Sequence, residues 1–300
     1  MKATFGSKWS HIERTATEPR GSNLYTVTLS RIEQVNSTTR LFRLGIREGS
    51  GSSIKFLPGQ WLDTFVPGTA NPGGFTITSQ PSKATLSSLP YLELAVQRSP
   101  SNPAAAWLWE QPVNDGSHPS LEEPRLQVRV GGSFVWPPCG IDLSSLRRVV
   151  FIAGGVGVNP LISILSHLAE GDCPYDVQFL YSTKAPKDLD AEKILFMERL
   201  AGIYGREKVQ GRLRLFLTGL DAAIGSEEPV LSCNEIDVPY KPRRIVLGDV
   251  AEALGSKKEH GSTVLYVCGV PSMTDEFVEK LISLDSLCIQ PHQVFCEKWW

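Results

Sequence analysis

The chain has 300 residues, with 30 lysines and arginines against 32 aspartates and glutamates and a formal net charge of -2. This length exceeds the usual size of one domain, so we expect two domains that each bury a core. The balanced charge argues against nucleic acid as a partner, and no apolar run is long enough to cross a membrane. The sequence therefore predicts a soluble protein.

Six cysteines are scattered along the sequence, without a CxxC pair or a cysteine–histidine cluster at metal-ligand spacing. We therefore expect no metal site. The N-terminus shows no apolar signal segment, which favours an intracellular protein, cytoplasmic or mitochondrial, in a reducing compartment. Most of the thiols are then expected to be buried as small apolar side chains.

Residues 1–20 are predicted to be an N-terminal extension, and residues 21–142 a first domain of short strands. Alternating apolar segments separated by Gly, Pro, Ser and Asn occupy residues 24–29, 61–66, 75–78, 91–96 and 126–130. Such spacing is typical of a small antiparallel β-barrel. The break between the domains is expected near residues 137–145.

Residues 143–300 change to an alternation of strand, glycine turn and amphipathic helix, which predicts an α/β domain with a parallel sheet. The apolar run 147–153 is predicted to be a buried strand, and it ends in Gly154-Gly155-Val156-Gly157-Val158-Asn159-Pro160. Apolar residues then recur at helical spacing, with Asn159 as the predicted N-cap and Pro160 in the first turn. A glycine turn at a helix start suits a pyrophosphate, although such a turn also occurs for purely structural reasons.

A second apolar strand, 264–268, ends in Cys268-Gly269-Val270-Pro271-Ser272-Met273 and also leads into a helical pattern. Ligands bind outside the carboxyl ends of parallel strands, so the two turns are predicted to face one dinucleotide site. The strand at 177–181 precedes Ser182, Thr183 and Lys184 and then Lys187 and Asp188, which leave the choice between NAD and NADP open. The segment 219–247 lacks periodicity and is predicted to be a surface connection.

These motifs resemble the ferredoxin-NADP reductase superfamily. The barrel half contributes Pro58-Gly59-Gln60 and Gly131-Gly132-Ser133-Phe134, and the C-terminus contributes Glu297-Lys298-Trp299-Trp300. The resemblance covers about residues 24–300. Within the superfamily, residues 74–79 and 102–108 are most similar to the oxidoreductase NAD-binding domain-containing proteins, which favours NAD over NADP.

The resemblance implies that the second domain binds NAD(P)H. Cys268 would lie beside the nicotinamide ring, although a buried thiol is more often a spacer, and Glu297 would be a proton relay or a solvated carboxylate. The residues implied to bind the dinucleotide are Gly154, Gly155, Val156, Gly157, Val158, Asn159, Pro160, Ser182, Thr183, Gly269, Pro271 and Met273.

The resemblance also implies a flavin, FAD rather than FMN, between the barrel and the nucleotide domain. It would take a hydride from NAD(P)H and pass electrons to a separate acceptor, either a small molecule or a protein. Thr76 would offer a hydroxyl to the reactive ring nitrogen, and residues 75–78 are otherwise a core strand of the barrel. The other residues implied to contact the flavin are Phe75, Ile77, Thr78, Trp107 and Trp299.

Two stretches depart from the superfamily pattern. Its Arg-x-Tyr-Ser strand matches Gly73-Gly74-Phe75-Thr76, so a glycine replaces the cation, and its Gly-x-x-Ser loop matches Asn102-Pro103-Ala104-Ala105. Losing a charge-assisted contact to the flavin phosphate would weaken flavin binding by about 1.5–3 kcal/mol. Arg98 is a candidate to replace the missing cation. Three functions remain open: a flavin-dependent NAD(P)H oxidoreductase, a flavin-less nucleotide-binding module, and a catalyst that uses the vacated flavin crevice for another organic substrate.

Overall fold

The computed structural model describes residues 10–46, 53–114, 123–220 and 229–298. The chain forms two compact units that divide after Trp136. The sequence placed the end of the first domain at residue 142. The Trp136 amide donates to the Pro58 carbonyl oxygen over 2.9 Å, which holds the chain to the barrel as far as Trp136.

The first unit is an antiparallel barrel. Its elements are α1 (His11–Arg14), β1 (Tyr25–Asn36), β2 (Thr39–Ile46), β3 (Trp61–Phe65), β4 (Gly73–Thr76), β5 (Tyr91–Gln97), α2 (Pro103–Glu110) and β6 (Arg125–Gly131). The sheet order is β4-β3-β6-β1-β2-β5, and a bridge between Ile77 and Leu94 closes it. The predicted barrel is confirmed, although the sequence analysis missed β2.

Apolar side chains fill the barrel core from alternate positions along each strand, because successive side chains of a strand point to opposite faces of the sheet. Leu62, Leu94 and Val128 are fully buried on its inside. Helix α2 adds Ala104 and Leu108 to the same apolar cluster. Strands and helix thus share one core, and removal of this apolar surface from water stabilises the unit.

The segment predicted to be an N-terminal extension packs on the barrel over its described part. Ser10 caps α1, and the Gly132 amide donates to the Pro19 carbonyl oxygen over 2.9 Å. Arg20 forms a β-bridge with Gly131. Residues 10–20 therefore lie along the end of β6 and belong to the first unit.

The second unit is an α/β sheet with helices, as predicted. Its elements are β7 (Arg148–Gly154), α3 (Val158–Leu168), β8 (Asp176–Lys184), α4 (Met197–Gly205), β9 (Gln210–Thr218), β10 (Val230–Cys233), β11 (Ile236–Lys241), α5 (Leu247–Leu254), β12 (Thr263–Gly269), α6 (Pro271–Ile282) and β13 (Val294–Lys298). The sheet order is β10-β11-β9-β8-β7-β12-β13. Every described pairing in it is parallel except β10 with β11, so β7 lies inside the sheet.

The prediction of a surface connection at 219–247 is wrong for its described residues. Strands β10 and β11 form a hairpin that extends the sheet beyond β9. Its turn residues Asn234 and Glu235 both have positive φ, 47° and 65°, as tight hairpin turns require. Leu231 and Val238 are buried. Ile236, Val238 and Tyr240 do alternate in the sequence, but Pro239 between the last two counts against a strand.

The expectation that most cysteines are buried is also wrong. Cys233 and Cys268 are buried and Cys173 is half-buried, whereas Cys139, Cys288 and Cys296 are exposed. All six are free thiols. Cys296 lies on β13, the last strand in the order of this sheet over the described ranges.

Candidate functional site

The two glycine turns lie side by side at the carboxyl edge of the parallel sheet. Strands β7 and β12 are neighbours, with Ala153 opposite Cys268. A Cβ placed on Gly154 would overlap the Met273 sulfur, and a Cβ on Gly157 would lie 2.6 Å from the Gly269 amide nitrogen. Only glycine at these two positions permits so close an approach of the turns.

The turn after β7 leads into α3 earlier than the sequence predicted. Residues 155–157 form one 3-10 turn, and the N-cap of α3 is Gly157 rather than Asn159. The Val158 amide already donates to the Gly155 and Val156 carbonyl oxygens, so the chain is helical before it reaches Asn159. Asn159 and Pro160 therefore lie within the first turn of α3, where both are buried.

Neither α3 nor α6 has a side-chain cap at its N-terminus. The N-caps are Gly157 for α3 and Val270 for α6, and neither makes a side-chain hydrogen bond to its helix. First-turn amides have no partner within a helix, and a helix start carries partial positive charge. Gly155, at φ 54°, has open space where a side chain would stand. The edge therefore presents two uncapped helix starts and room for a ligand.

Helix α6 contributes a polar group that the sequence analysis missed. Pro271 occupies its first turn, and Met273 packs against Gly154 and Gly269. The Thr274 hydroxyl is fully buried and has no hydrogen-bond partner within the described residues. A buried hydroxyl without a hydrogen-bond partner lowers the stability of the fold. Thr274 follows Met273 near the start of α6, so its hydroxyl lies near the carboxyl edge of the parallel sheet.

Cys268, the last residue but one of β12, is fully buried and lies opposite Glu297 on β13. Burial raises the pKa of the Cys268 thiol well above its ordinary value, and the nearby Glu297 and Cys296 act in the same direction. The thiol is therefore protonated at neutral pH. It can fill space or donate a weak hydrogen bond, but it is not a thiolate nucleophile.

Ser182 and Thr183 end the neighbouring strand β8. Ser182 pairs with Gly154 across β7 and β8, and both hydroxyl residues are half-buried. The Thr218 hydroxyl donates to the Thr183 carbonyl oxygen over 3.3 Å. Lys184 follows and is exposed, with its side chain close to Gly219. The structure thus brings the residues predicted after β7, β8 and β12 to one edge.

Four of the residues predicted to contact a flavin, Phe75 to Thr78, lie at the end of β4 and directly after it, and all four are buried. Phe75 and Ile77 belong to the barrel core, and Thr76 is buried beside them. The Thr78 hydroxyl donates to the Glu93 carboxylate over 2.9 Å. Trp107 is half-buried against the same core, and Trp299 lies outside the described residues.

A charged cluster that sequence reasoning missed lies on the barrel around Asp63. The Asp63 carboxylate is fully buried and accepts hydrogen bonds from His11 Nε2 (2.9 Å), Arg20 Nε (3.1 Å) and Arg129 Nη2 (2.6 Å). Burial alone would raise the pKa of Asp63, but the bonds from His11 and Arg129 and the charge of Arg20 outweigh burial and lower it. The only sequence signal was one aspartate inside an apolar strand.

No group of three or more metal-ligating side chains occurs in the part of the chain that the structure describes. Across the same ranges, no helix combines the length and the apolar composition needed to cross a membrane.

No protein-family model matches the chain. A curated relative, "Oxidoreductase NAD-binding domain-containing protein 1" of Xenopus tropicalis, is 30% identical over 300 residues, which cover 97% of this chain and 84% of the relative. The chain belongs to the oxidoreductase NAD-binding domain-containing protein 1 family. The family member of Bos taurus is 29% identical over 301 residues, covering 97% of this chain and 85% of its own length.

The family resembles reductases in fold. The CS-b5R domains of human Ncb5or, solved in an NAD+ form, align with a TM-score of 0.65 at 17% identity over 92% of this chain and 70% of that one. The ferredoxin reductase in carbazole 1,9a-dioxygenase aligns with a TM-score of 0.64 at 15% identity over 93% of this chain and 70% of that one. The predicted fold is confirmed, and so is the predicted relationship to a family named as oxidoreductases.

Proposed function

We propose that this protein binds NAD(P)H at the carboxyl edge of its parallel sheet and releases a hydride from the nicotinamide ring to a separate acceptor. The observation that carries the proposal is the close approach of the two strand-end turns at Gly154, Gly157 and Gly269. Two uncapped helix starts and an orphaned hydroxyl at Thr274 adjoin these turns. These groups have the chemistry that a dinucleotide needs.

The pyrophosphate is assigned to the start of α3. Its charge would be met by amides of the glycine turn at Val156 and Gly157 and by the positive end of the eleven-residue helix that follows. Gly155, Asn159 and Pro160 shape this turn, and Pro160 lacks an amide hydrogen that would go unpaired there. The hydroxyls of Ser182 and Thr183, one strand away, are assigned to a ribose.

The nicotinamide end is assigned to the turn after β12. Gly269, Pro271 and Met273 are assigned to contact the nicotinamide ring. The Cys268 thiol, protonated and uncharged, is assigned as a spacer beside them. NAD(P)H supplies the hydride when bound, as a proton and an electron pair leaving one ring carbon together. Glu297, opposite Cys268 on β13, is the carboxylate that we assign to proton exchange with solvent.

We propose NADH rather than NADPH as the preferred donor. The name of the relatives supports this choice. Lys184 is the charged side chain at the end of β8, and one exposed lysine is a weaker phosphate ligand than an arginine cluster.

The acceptor is proposed to be a separate small molecule or protein. In support, a 27% identical relative from Rhodococcus jostii, aligned over 84% of this chain and 58% of its own length, is named "Propane 2-monooxygenase, reductase component". The flavin expected from the superfamily, FAD rather than FMN, would be the intermediate carrier. The barrel does not fit its phosphates, because Asn102 caps the start of α2 and Gly73 packs against Ala104, so we derive no step through a flavin.

The proposal is tested by titrating the purified protein with NADH and following the nicotinamide fluorescence. Saturable binding to the native protein, lost in Gly157→Val and kept in Gly171→Ala, is the expected result. A Cβ at Gly157 meets the backbone of Cys268, whereas one at Gly171 meets nothing within 4 Å. Equal NADH affinity in both variants would contradict the assignment.

A second candidate function is a nucleotide-binding module without redox turnover. This second function is favoured by the close packing around Gly73, which leaves no room for a cationic side chain that would bind a flavin phosphate. The discriminating measurement is NADH oxidation with a series of added quinones, because a quinone accepts the hydride and a proton directly and needs no bound flavin as intermediate. Binding without oxidation by any of them would favour the module over the oxidoreductase.

A further inference from the structure

The barrel position that the superfamily uses for a flavin-phosphate cation is filled by this chain's own atoms. A Cβ on Gly73 would lie 2.7 Å from the Ala104 Cβ and 2.7 Å from the Phe75 ring. Close-packed interiors leave no slack for such overlaps. An arginine at position 73 would therefore require α2 or Phe75 to move, and the glycine is part of the packing of β4 against α2.

The amide donors beside this position are also satisfied by the chain. Asn102 is the N-cap of α2, and its Oδ1 accepts from the Ala104 amide over 3.1 Å and from the Ala105 amide over 3.2 Å. These are the first-turn groups that would otherwise be available to an anion. Helices α3 and α6 differ from α2, because their N-caps make no side-chain hydrogen bond to the helix. The start of α2 is therefore capped, whereas those of α3 and α6 are not.

The aromatic residue of the strand does not present a face to a ligand. Phe75 is only 8% exposed and belongs to the barrel core. Its ring covers Gly73. On the other side of β4, the His11 imidazole fills the space over Gly74 and is held by Asp63. Both faces of this part of β4 are therefore covered.

Nearby arginines are engaged elsewhere. Arg20 and Arg129 bind the buried Asp63 carboxylate. Arg98, the substitute cation considered from the sequence, lies over the Trp109 ring at 5.9 Å. Trp109 is in the last turn of α2, at the end of the helix opposite to Asn102. The charge of Arg98 is therefore not placed at the start of α2.

From this packing we infer that the barrel retains neither FAD nor FMN as a tightly bound group, because β4 and α2 close on each other where the flavin phosphate would sit. The inference concerns the first unit and does not depend on the proposed dinucleotide site in the second. Because the start of α2 is capped and packed against β4, a flavin phosphate would gain no contact there. FMN and FAD should therefore bind no more tightly than riboflavin, which lacks the phosphate.

The experiment uses the full chain purified from cells grown with added riboflavin. We expect a colourless protein with a cooperative unfolding transition and no saturable binding of FAD, FMN or riboflavin below roughly 100 μM. NADH is titrated in the same sample, so failure of the dinucleotide proposal is read independently of the flavin result. Flavin that copurifies near one equivalent would overturn the inference. So would FMN binding tenfold or more tighter than riboflavin, because that preference measures a phosphate contact.

A variant tests the mechanism of closure. Asn102→Gly frees the Ala104 and Ala105 amides, and glycine is tolerated at an N-cap. In titrations carried to flavin concentrations well above roughly 100 μM, where weak binding becomes measurable, we expect the ratio of riboflavin to FMN dissociation constants to rise severalfold over the native value, with NADH affinity unchanged. The matched control is Asn36→Gly, an asparagine whose side chain bonds within the β1–β2 turn and which leaves the ratio at its native value. An unchanged ratio in Asn102→Gly would contradict the closing role of this side chain.

Discussion

Gly157 lies against Cys268 so closely that a Cβ on the glycine would overlap the Cys268 carbonyl oxygen. The two residues belong to different strand-end turns, one after β7 and one at the end of β12. Their contact fixes the distance between the helix start assigned to the pyrophosphate and the turn assigned to the nicotinamide.

Substitution of Gly157 should therefore weaken dinucleotide binding without unfolding the barrel. For Gly157→Ala we expect a loss of about 1–3 kcal/mol in the second unit, typical of overpacking, and at least tenfold weaker NADH binding. Fluorescence titration and thermal unfolding measure the two effects. Gly171→Ala, which adds a Cβ in open space, should change neither, and a similar loss in both variants would contradict the contact as the cause.

Cys268 should resist alkylation in the native protein. Burial raises the pKa of its thiol, so the thiolate is present only above the ordinary thiol range, and the side chain is inaccessible as well. We expect iodoacetamide at pH 8 to label the exposed Cys139 and Cys288 first, with Cys268 labelled only after unfolding. Peptide mass spectrometry gives the order, and early labelling of Cys268 would show that the thiol is not buried.

Thr274→Val should stabilise the second unit by about 1 kcal/mol, because it removes a buried hydroxyl without a partner in the described residues and keeps the side-chain shape. If the hydroxyl serves the dinucleotide, NADH affinity falls severalfold at the same time. Urea unfolding and NADH titration separate these effects. A destabilised variant would mean that the hydroxyl has a partner in the folded protein.

Asp63→Asn should destabilise the first unit by about 3 kcal/mol at neutral pH, because it leaves Arg20 and Arg129 facing a neutral group in a buried position. The pKa of Asp63 is lowered in the folded protein. Its contribution is therefore present above the unfolded value of about 4 and is lost as pH falls through the lowered folded value. Unfolding at pH 7 and in acid should show the two proteins converging at low pH, and a difference that persists there would contradict this origin.

Gly73→Ala should destabilise the barrel by about 1–3 kcal/mol through overlap with Ala104 and Phe75. Gly21→Ala is the matched control in the same unit, since its Cβ would lie at an ordinary 3.5 Å from the Val130 carbonyl oxygen. Thermal unfolding compares the two. Equal stability would show that β4 and α2 are loosely packed.

The parts of the fold that the sequence predicted are those with strong local patterns. The apolar run of β7 and its glycine turn needed only neighbouring residues, and both were predicted correctly. Strand β2 was missed because Arg40 and Arg43 interrupt its apolar residues, and both arginines lie over aromatic rings supplied by distant segments, Trp109 and Tyr91.

Within the candidate site, residue types were predictable but their local roles were less so. Asn159 has the side chain of a typical cap, yet the 3-10 turn before it starts the helix earlier. The Asp63 cluster was not predictable, because His11, Arg20 and Arg129 come from separate segments and meet only in the folded barrel. The closure around Gly73 likewise depends on a contact between β4 and α2.

The His11 ring and Gly74 occupy one shared volume, since any Cβ at position 74 would overlap the imidazole. Evolution can therefore enlarge residue 74 only after residue 11 has become small or has moved away from Asp63. The two positions form an epistatic pair whose order of substitution matters: the change at 11 has to come first, and it exposes a buried carboxylate until a second change compensates for it.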